Sequence, residues 1–300
     1  MAEAEPPFTD VKLEVPWGHI AAKTYGSPSG KPVLLTHGRE DNAGTFTRLM
    51  KYLPMDLFYY VCVDLPGHGW SSHFPSWMII DAIDYCYTLY FILEALQWKS
   101  CIYIGHSLGG QIGLIFSIFQ PNRIEKLITI DGILMNPYLR HDDIAQYFKK
   151  ASVLSNKITR NEKAATHTKE EILHIYKTKR LGALNSEAVM ALFERGVTEI
   201  NGRYKFNRDI RIKNSPFSFF STEICQQFNN MLSVPTYVFV SSHGIITPYK
   251  EYPSILEIMK AKVKLEVIEI NGNHDVHNNN PERIAPFIQK ILNTENSSKL

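Results

Sequence analysis

The chain has little cysteine, almost no net charge and no long apolar run free of charges. Its four cysteines, Cys62, Cys86, Cys101 and Cys225, each stand among apolar or aromatic residues, and no two have the C-x-x-C spacing of a zinc or redox site. They read as buried free thiols, which fits a reducing, intracellular compartment. A formal net charge of +2 lacks the electrostatic footprint of a dedicated nucleic-acid binder, so nucleic acid is set aside as a partner. The most apolar long segment, Met78 to Leu96, carries Asp81, Asp84 and Glu94, and charges that deep in a bilayer are costly. A packed amphipathic helix is expected there, and no membrane span. Met1 to Asp10 is acidic and proline-bearing, with no basic region leading into an apolar run, so no secretory leader is expected. Internal repeats and low-complexity segments are also missing.

What is present is an ordinary globular composition, 44% hydrophobic and 21% charged over 300 residues, enough for one large domain or a core with an inserted lobe. Strand-like runs occur at Val11 to Val15, Ile20 to Tyr25, Val33 to His37, Tyr59 to Asp64, Cys101 to Gly105, Lys126 to Ile130, Thr236 to Val240 and Lys264 to Ile270. From the third onward they are short and nearly continuous in apolar character, as strands covered on both faces are. Thr45 to Leu53, Ile79 to Leu96 and Leu108 to Gln120 alternate with them and carry apolar residues at helical spacing. The pattern is βαβ, so the fold class is α/β with a mainly parallel sheet. Between Asp131 and about Gln227 the alternation stops, and Ile144 to Ala151, Lys169 to Lys179 and Ser186 to Glu194 read as polar helices. The expected organisation is a first core part at 1–133, a helical cap at 134–228 inserted after the sixth strand, and a second core part with a tail at 229–300. Such an insertion would lie over the strand C-terminal edge, where open α/β sheets bind ligands.

Four segments carry chemistry. Gly105-His106-Ser107-Leu108-Gly109 follows the apolar run Cys101 to Ile104 and precedes a helical stretch. In this G-x-S-x-G pattern the strand-to-helix turn is so tight that glycines must flank the serine, whose hydroxyl then stands clear as a nucleophile. Leu34-Leu35-Thr36-His37-Gly38-Arg39 is a strand ending in His-Gly. Acyl transfer develops an oxyanion, and the amides of Leu108 and Arg39 are the candidate donors for it. Val63 to Ser72 is a strand followed by a glycine-punctuated loop, by chemistry alone a turn. Asn271-Gly272-Asn273-His274-Asp275-Val276-His277 follows the last strand and offers two histidines that could take the serine proton.

These segments resemble the α/β-hydrolase superfamily, and more narrowly the serine hydrolase-like proteins of the kraken type. The resemblance covers nearly the whole chain. It is carried by His37-Gly38 with Asp41-Asn42-Ala43-Gly44, the Asp64 to Ser72 loop, the Gly105 to Gly109 elbow, Gly272-Asn273-His274 followed by Pro281-Glu282, and in the cap Arg195-Gly196 and Asn207-Arg208-Asp209. It implies an eight-stranded, mostly parallel sheet flanked by helices, with Ser107 as nucleophile and His274, which precedes the Pro-Glu pair, as base. His277 is then the second candidate, otherwise a loop histidine lining the pocket, and His106 is taken the same way.

The third triad member departs from the family pattern. Most of the superfamily carries an acid after the seventh core strand, but Ser241 to Pro248 contains no carboxylate, and Gly244 stands where the acid is expected. Asp131, ending the sixth strand, is the best substitute, because some relatives, certain haloalkane dehalogenases among them, place the acid there. The alternative is that Asp131 only anchors a loop. Asp275 is adjacent to His274, and neighbouring side chains point apart; Glu269 lies within the last strand and is expected to face solvent.

The expected function is a serine hydrolase that cleaves a carboxylic ester or thioester through an acyl-serine intermediate, with no metal and no organic cofactor required. A serine at the elbow excludes the chemistry of haloalkane dehalogenases and epoxide hydrolases, which need an aspartate nucleophile. The alternative is a non-catalytic or vestigial binding protein of the same fold, supported by the missing acid. Phe148, Ile172, Leu173, Leu181, Phe193, Phe217, Phe219 and Phe220 either line a pocket for an acyl-chain-bearing substrate or pack the cap on the core. The final Ser298-Lys299-Leu300 matches a peroxisomal address recognised by an import receptor when free, so a peroxisomal location is expected, with a cytoplasmic pool allowed.

Overall fold

The eight runs expected as strands all pair into one sheet. These are β1 (Phe8–Val15), β2 (Gly18–Tyr25), β3 (Lys31–Thr36), β4 (Phe58–Val63), β5 (Cys101–His106), β6 (Ile124–Ile130), β9 (Thr236–His243) and β10 (Leu265–Asn273), while β7 (Val197–Ile200) and β8 (Arg203–Phe206) form a separate hairpin. The sheet order is β1-β2-β4-β3-β5-β6-β9-β10, with β1/β2 and β2/β4 antiparallel and the other pairs parallel. The computed structural model describes residues 5–134, 141–160, 165–180, 182–213 and 220–294, with residues 141–144 described through their backbone alone. The tail Ser298-Lys299-Leu300 and the cap residues Leu181, Phe217 and Phe219 lie outside the described residues.

The helices are α1 (Thr47–Met50), α2 (Ala82–Ala95), α3 (Leu108–Phe119), α4 (His141–Thr159), α5 (Lys169–Thr178), α6 (Ser186–Gly196), α7 (Thr222–Asn230), α8 (Tyr252–Lys260), α9 (Val276–Asn279) and α10 (Ala285–Asn293). The sheet is covered on both faces because its side chains alternate. Leu34, Val61, Tyr103, Leu127 and Val238 pack with α2, α3 and α8. Val33, Leu35, Ile102, Ile104, Ile128 and Phe239 pack with Phe46, Leu49, Ile288 and Ile291 on the other side. That is why the central strands are apolar without alternation. The segment weighed as a membrane span is α2, started by an Asp81–Asp84 capping box and burying Tyr85, Cys86, Leu89, Ile92 and Leu93 along one face. Among the described residues no helix is long and apolar enough to cross a membrane.

One expectation needs correction. The helix expected at Thr45 to Leu53 is a single 3-10 turn at Ala43–Phe46, capped by Asn42, leading into the four-residue α1. Within the mostly helical insertion, β7 and β8 pair antiparallel around Asn201 and Gly202, whose φ values of 50° and 74° are those of a type I′ turn. Asn-Gly is the strongest short hairpin signal, and flanking Val197 to Ile200 and Arg203 to Phe206 fit it. The inserted segment has its own small core, Ile172, Tyr176, Leu184, Ala188, Val189 and Leu192, with Leu173 and Phe193 against it. Those apolar residues therefore pack the insertion, while Phe220 joins the main core and Phe148 is exposed.

Arg195 of α6 anchors this segment to the sheet. Its buried guanidinium donates to Asp64 at 2.8 Å, pairs with Asp10 and stacks on Trp70 at 4.1 Å. Asp64 in turn accepts from the amides of Ala43 and Trp70. The Asp64 to Ser72 loop is thus a junction that the insertion grips.

Candidate active site

Ser107 stands between β5 and α3 with φ 51° and ψ −116°, a left-handed backbone that a residue with a Cβ rarely adopts and that costs of order 1–3 kcal/mol. Its amide donates to Ile130 O at 2.9 Å and its carbonyl accepts from Gln111 N at 3.1 Å, so the turn is held from both sides. The flanking glycines are needed for close approach. A Cβ on Gly105 would lie 2.4 Å from the Gly109 carbonyl, and one on Gly109 would lie 2.3 Å from Thr36 O. Ser107 is nine-tenths buried at the N-terminus of α3, where the helix dipole favours negative charge.

The His37-Gly38 strand end lies against this turn. Thr36 and Gly105 are register partners, and a Cβ on Gly38 would lie 3.1 Å from Ser107 Cβ. His37 donates from Nδ1 to Gly38 O at 2.7 Å and accepts from Leu65 N at its Nε2, at 2.9 Å, which ties the segment to the β4 loop. Burial lowers its pKa to about 3, so it is neutral. The Leu108 amide, at the first position of α3, and the Arg39 amide, one residue beyond Gly38, thus flank the same turn.

His274 follows β10, and its Nδ1 donates to Asp131 Oδ2 at 2.6 Å, leaving Nε2 as the proton-accepting nitrogen. Asp131 is fully buried at the end of β6, in the left-handed region at φ 45°. Its Oδ2 also accepts from Ile245 N at 2.9 Å, and its Oδ1 accepts from Ser241 N at 3.4 Å. The loop after β9, which lacks an acid, therefore holds a carboxylate supplied by β6. A Cβ on Gly244 would lie 2.3 Å from Asp131 Oδ2, so the imported carboxylate fills the space that a side chain at 244 would use. Of the other candidate acids, Glu269 is exposed and Asp275 pairs with Arg180.

His277 and His106 stand in the interior behind the His274 loop. Both are fully buried. His277 Nε2 bonds Thr45 Oγ1 at 2.8 Å, and its ring lies 4.0 Å from that of His106. His106 Nε2 donates to the His274 carbonyl at 3.0 Å, so it supports the loop that carries His274. Burial first, then the neighbouring His274, lowers the His106 pKa to about 3, and burial also takes His277 well below its ordinary value. Both act as neutral rings. Ser107 caps α3 with no side-chain hydrogen bond, and His106 is what physically joins its turn to His274, their rings being 4.6 Å apart. Resting sites commonly leave the nucleophile–base bond loose until substrate is bound.

A buried ion network, not foreseen from sequence, adjoins the histidine loop. Arg180 reaches Asp275 Oδ1 at 2.9 Å and Asp41 Oδ2 at 3.4 Å. Burial raises the Asp41 carboxyl to about 6 against the pull of Arg180. Burial acts upward most strongly on Asp275, but the Arg180 guanidinium, by its charge and its hydrogen bond, leads the opposing influences that hold that carboxyl below its ordinary value. The closer partner keeps its charge more firmly. No local signal marks Arg180, one basic residue in the run Lys177 to Arg180.

Among the described residues, Asp41, His106 and His277 bring three possible metal-ligand atoms within 4.8 Å of one another. Arg180 already engages the carboxylate, and the two rings are packed against each other, tilted by 38° with centroids 4.0 Å apart. The cluster fits a buried polar network better than an ion site.

Residues 31–281 match the family profile described as alpha/beta hydrolase fold. The chain is 31% identical to serine hydrolase-like protein 2 of Homo sapiens, over 95% of this chain and 94% of that one. It is 29% identical to a probable serine hydrolase of Drosophila melanogaster, over 96% of this chain and 88% of that one. In three dimensions it is similar to the crystal structure of a hypothetical protein from Pseudomonas aeruginosa PAO1, with TM-score 0.81 and 25% identity over 94% of this chain and 97% of that one.

Proposed function

Because the chain belongs to the alpha/beta hydrolase fold family, we propose that it is a serine hydrolase that cleaves a carboxylic ester or thioester through an acyl-Ser107 intermediate. The observation that carries this reading is the His274–Asp131 hydrogen bond beside a serine held in a strained elbow. In the proposed reaction Ser107 Oγ attacks the carbonyl carbon as His274 Nε2 takes its proton. The oxyanion is bound by the amides of Leu108 and Arg39, which need no reorganisation as charge develops. Collapse breaks the bond to the alcohol or thiol, which leaves with the proton from His274. Water then attacks the acyl-enzyme with His274 again as base, and Ser107 is regenerated with release of the acid. Asp131 fixes the tautomer with Nδ1 protonated and stabilises the imidazolium that forms.

The alternative of a binding protein without catalysis rested on the acid-free loop after β9. With Asp131 hydrogen-bonded to His274 from β6, that support falls away. A fluorophosphonate probe tests the reading: folded protein labels at Ser107, and Ser107→Ala does not. Absence of labelling in folded wild-type protein would overturn it. We extend the proposal to location: a chain ending in free Ser298-Lys299-Leu300 is delivered to the peroxisome by an import receptor, with a cytoplasmic pool before import.

A further inference from the structure

The inserted segment does more than cover the sheet edge. Between α5 and α6, its residues Arg180, Gly182, Ala183 and Asn185 lie directly on the loop that carries His274. Asn273 Nδ2 and Asn279 Nδ2 both donate to Ala183 O, at 2.7 and 2.8 Å. Asn185 answers from the other side, its amide donating to Asn279 Oδ1 and its Nδ2 to Asn279 O, both at 2.9 Å. The approach is close enough that a Cβ on Gly182 would lie 3.0 Å from Asp275 Oδ2. His274 sits between two residues, Asn273 and Asp275, that are both held by the insertion.

Arg180 adds a second connection. It holds Asp275, next to His274, and also Asp41, which follows the Gly38-Arg39 turn closely and whose amide donates back to Gly38 O at 3.3 Å. One guanidinium therefore ties the loop of the base to the loop of the oxyanion donors. All three charged groups are largely or wholly buried, and both contacts are made by the one nitrogen Nη2, so in this water-poor setting a shift of the guanidinium moves both loops' tethers together. We propose that Arg180 is a positioning residue: its clamp on Asp275 and Asp41 makes the alignment of His274 with the oxyanion segment depend on docking of the insertion. The inference rests on the reading of Ser107, His274 and the Arg39 amide as reacting groups.

Removing Arg180 alone would leave two buried carboxylates unpaired and could unfold the insertion. The informative variant is therefore Arg180→Gln combined with Asp275→Asn, with Arg180→Lys as the conservative comparison. Three quantities are read: kcat and KM on a short-chain aryl ester, the rate of fluorophosphonate labelling, and the far-downfield proton resonance of the His274–Asp131 hydrogen bond. The double variant is expected to lose about tenfold to hundredfold in kcat with KM changed less than threefold, as 1 Å misplacements do. Its labelling should slow in parallel and its downfield resonance broaden or shift, with Arg180→Lys intermediate. A folded double variant with wild-type kcat, labelling rate and resonance would overturn the clamp. Loss of labelling in the wild type would instead overturn the hydrolase reading, while the resonance would still test whether Arg180 positions His274.

Discussion

Moving the carboxylate that meets His274 from residue 131 to residue 244 is the sharpest test of how this site is built. Asp131→Gly is expected to lower kcat by about 10³–10⁴-fold, the scale on which loss of a triad carboxylate acts through the wrong tautomer and an unstabilised imidazolium. At 1.36 kcal/mol per factor of ten, that is about 4–5 kcal/mol of transition-state stabilisation. Glycine is the suitable replacement because Asp131 has φ 45°, a backbone glycine adopts without strain. Gly244 is not among the residues of positive φ, so its backbone accepts an L side chain once the space is free. That space is now occupied: a Cβ at 244 would meet the Asp131 carboxylate at 2.3 and 2.4 Å. Gly244→Asp alone should therefore drive two carboxylates together and displace Asp131 from His274, lowering kcat by at least about tenfold. In the Asp131→Gly background the same substitution should recover at least about tenfold. Steady-state hydrolysis of a short-chain aryl ester reads all three variants, with near-ultraviolet circular dichroism confirming the fold. Wild-type turnover in Asp131→Gly, with Ser107→Ala inactive, would refute the assignment of the acid. No recovery in a folded double variant would refute the claim that the two positions share one space.

Three other outcomes follow from the same structure. Gly105→Ala places a methyl group 2.4 Å from the Gly109 backbone, so urea unfolding should register a loss of about 3 kcal/mol, and a change under 0.5 kcal/mol would show that the elbow has slack. Asp41 has its folded pKa raised from 3.8 to about 6, so the native state binds that proton more tightly than the unfolded chain; its contribution favours folding below about pH 4 and is lost as pH rises to 6, and over these roughly two units the change is about 3 kcal/mol. Stability of the wild type relative to Asp41→Asn should accordingly fall between pH 4 and 6 in denaturant titrations, and a flat difference would show that Asp41 is not perturbed. Deleting Leu300 from a tagged chain that ends in Ser298-Lys299-Leu300 should shift it from peroxisomes to the cytosol in fluorescence microscopy, whereas unchanged localisation would remove the targeting proposal.

Much of the molecule was legible in local pattern. Strand positions followed from short apolar runs, because a strand buried on both faces leaves little room for polar residues, and β5 is buried along its whole length. The elbow was legible because its glycines answer a steric demand within five residues. The β7/β8 hairpin was legible too, through Asn201-Gly202, but the surrounding helical polarity outweighed that signal. Less legible were the roles of His106 and His277. A histidine beside a nucleophile has the same sequence signature whether it lines a cleft or sits neutral in the interior, and burial decides between them.

The sequence by itself determined the α/β order of elements, the strained turn that presents Ser107 and the absence of an acid after the seventh core strand, because each depends on neighbours in the chain. Tertiary structure alone decided what takes the place of that acid. Asp131 and His274 are 143 positions apart and meet only because β6, β9 and β10 lie side by side, with Gly244 leaving the gap between them open. The same is true of Arg180, whose partners Asp41 and Asp275 lie 139 and 95 positions away. Charge pairing in a buried site is set by distance in space, and a sequence records only distance along the chain.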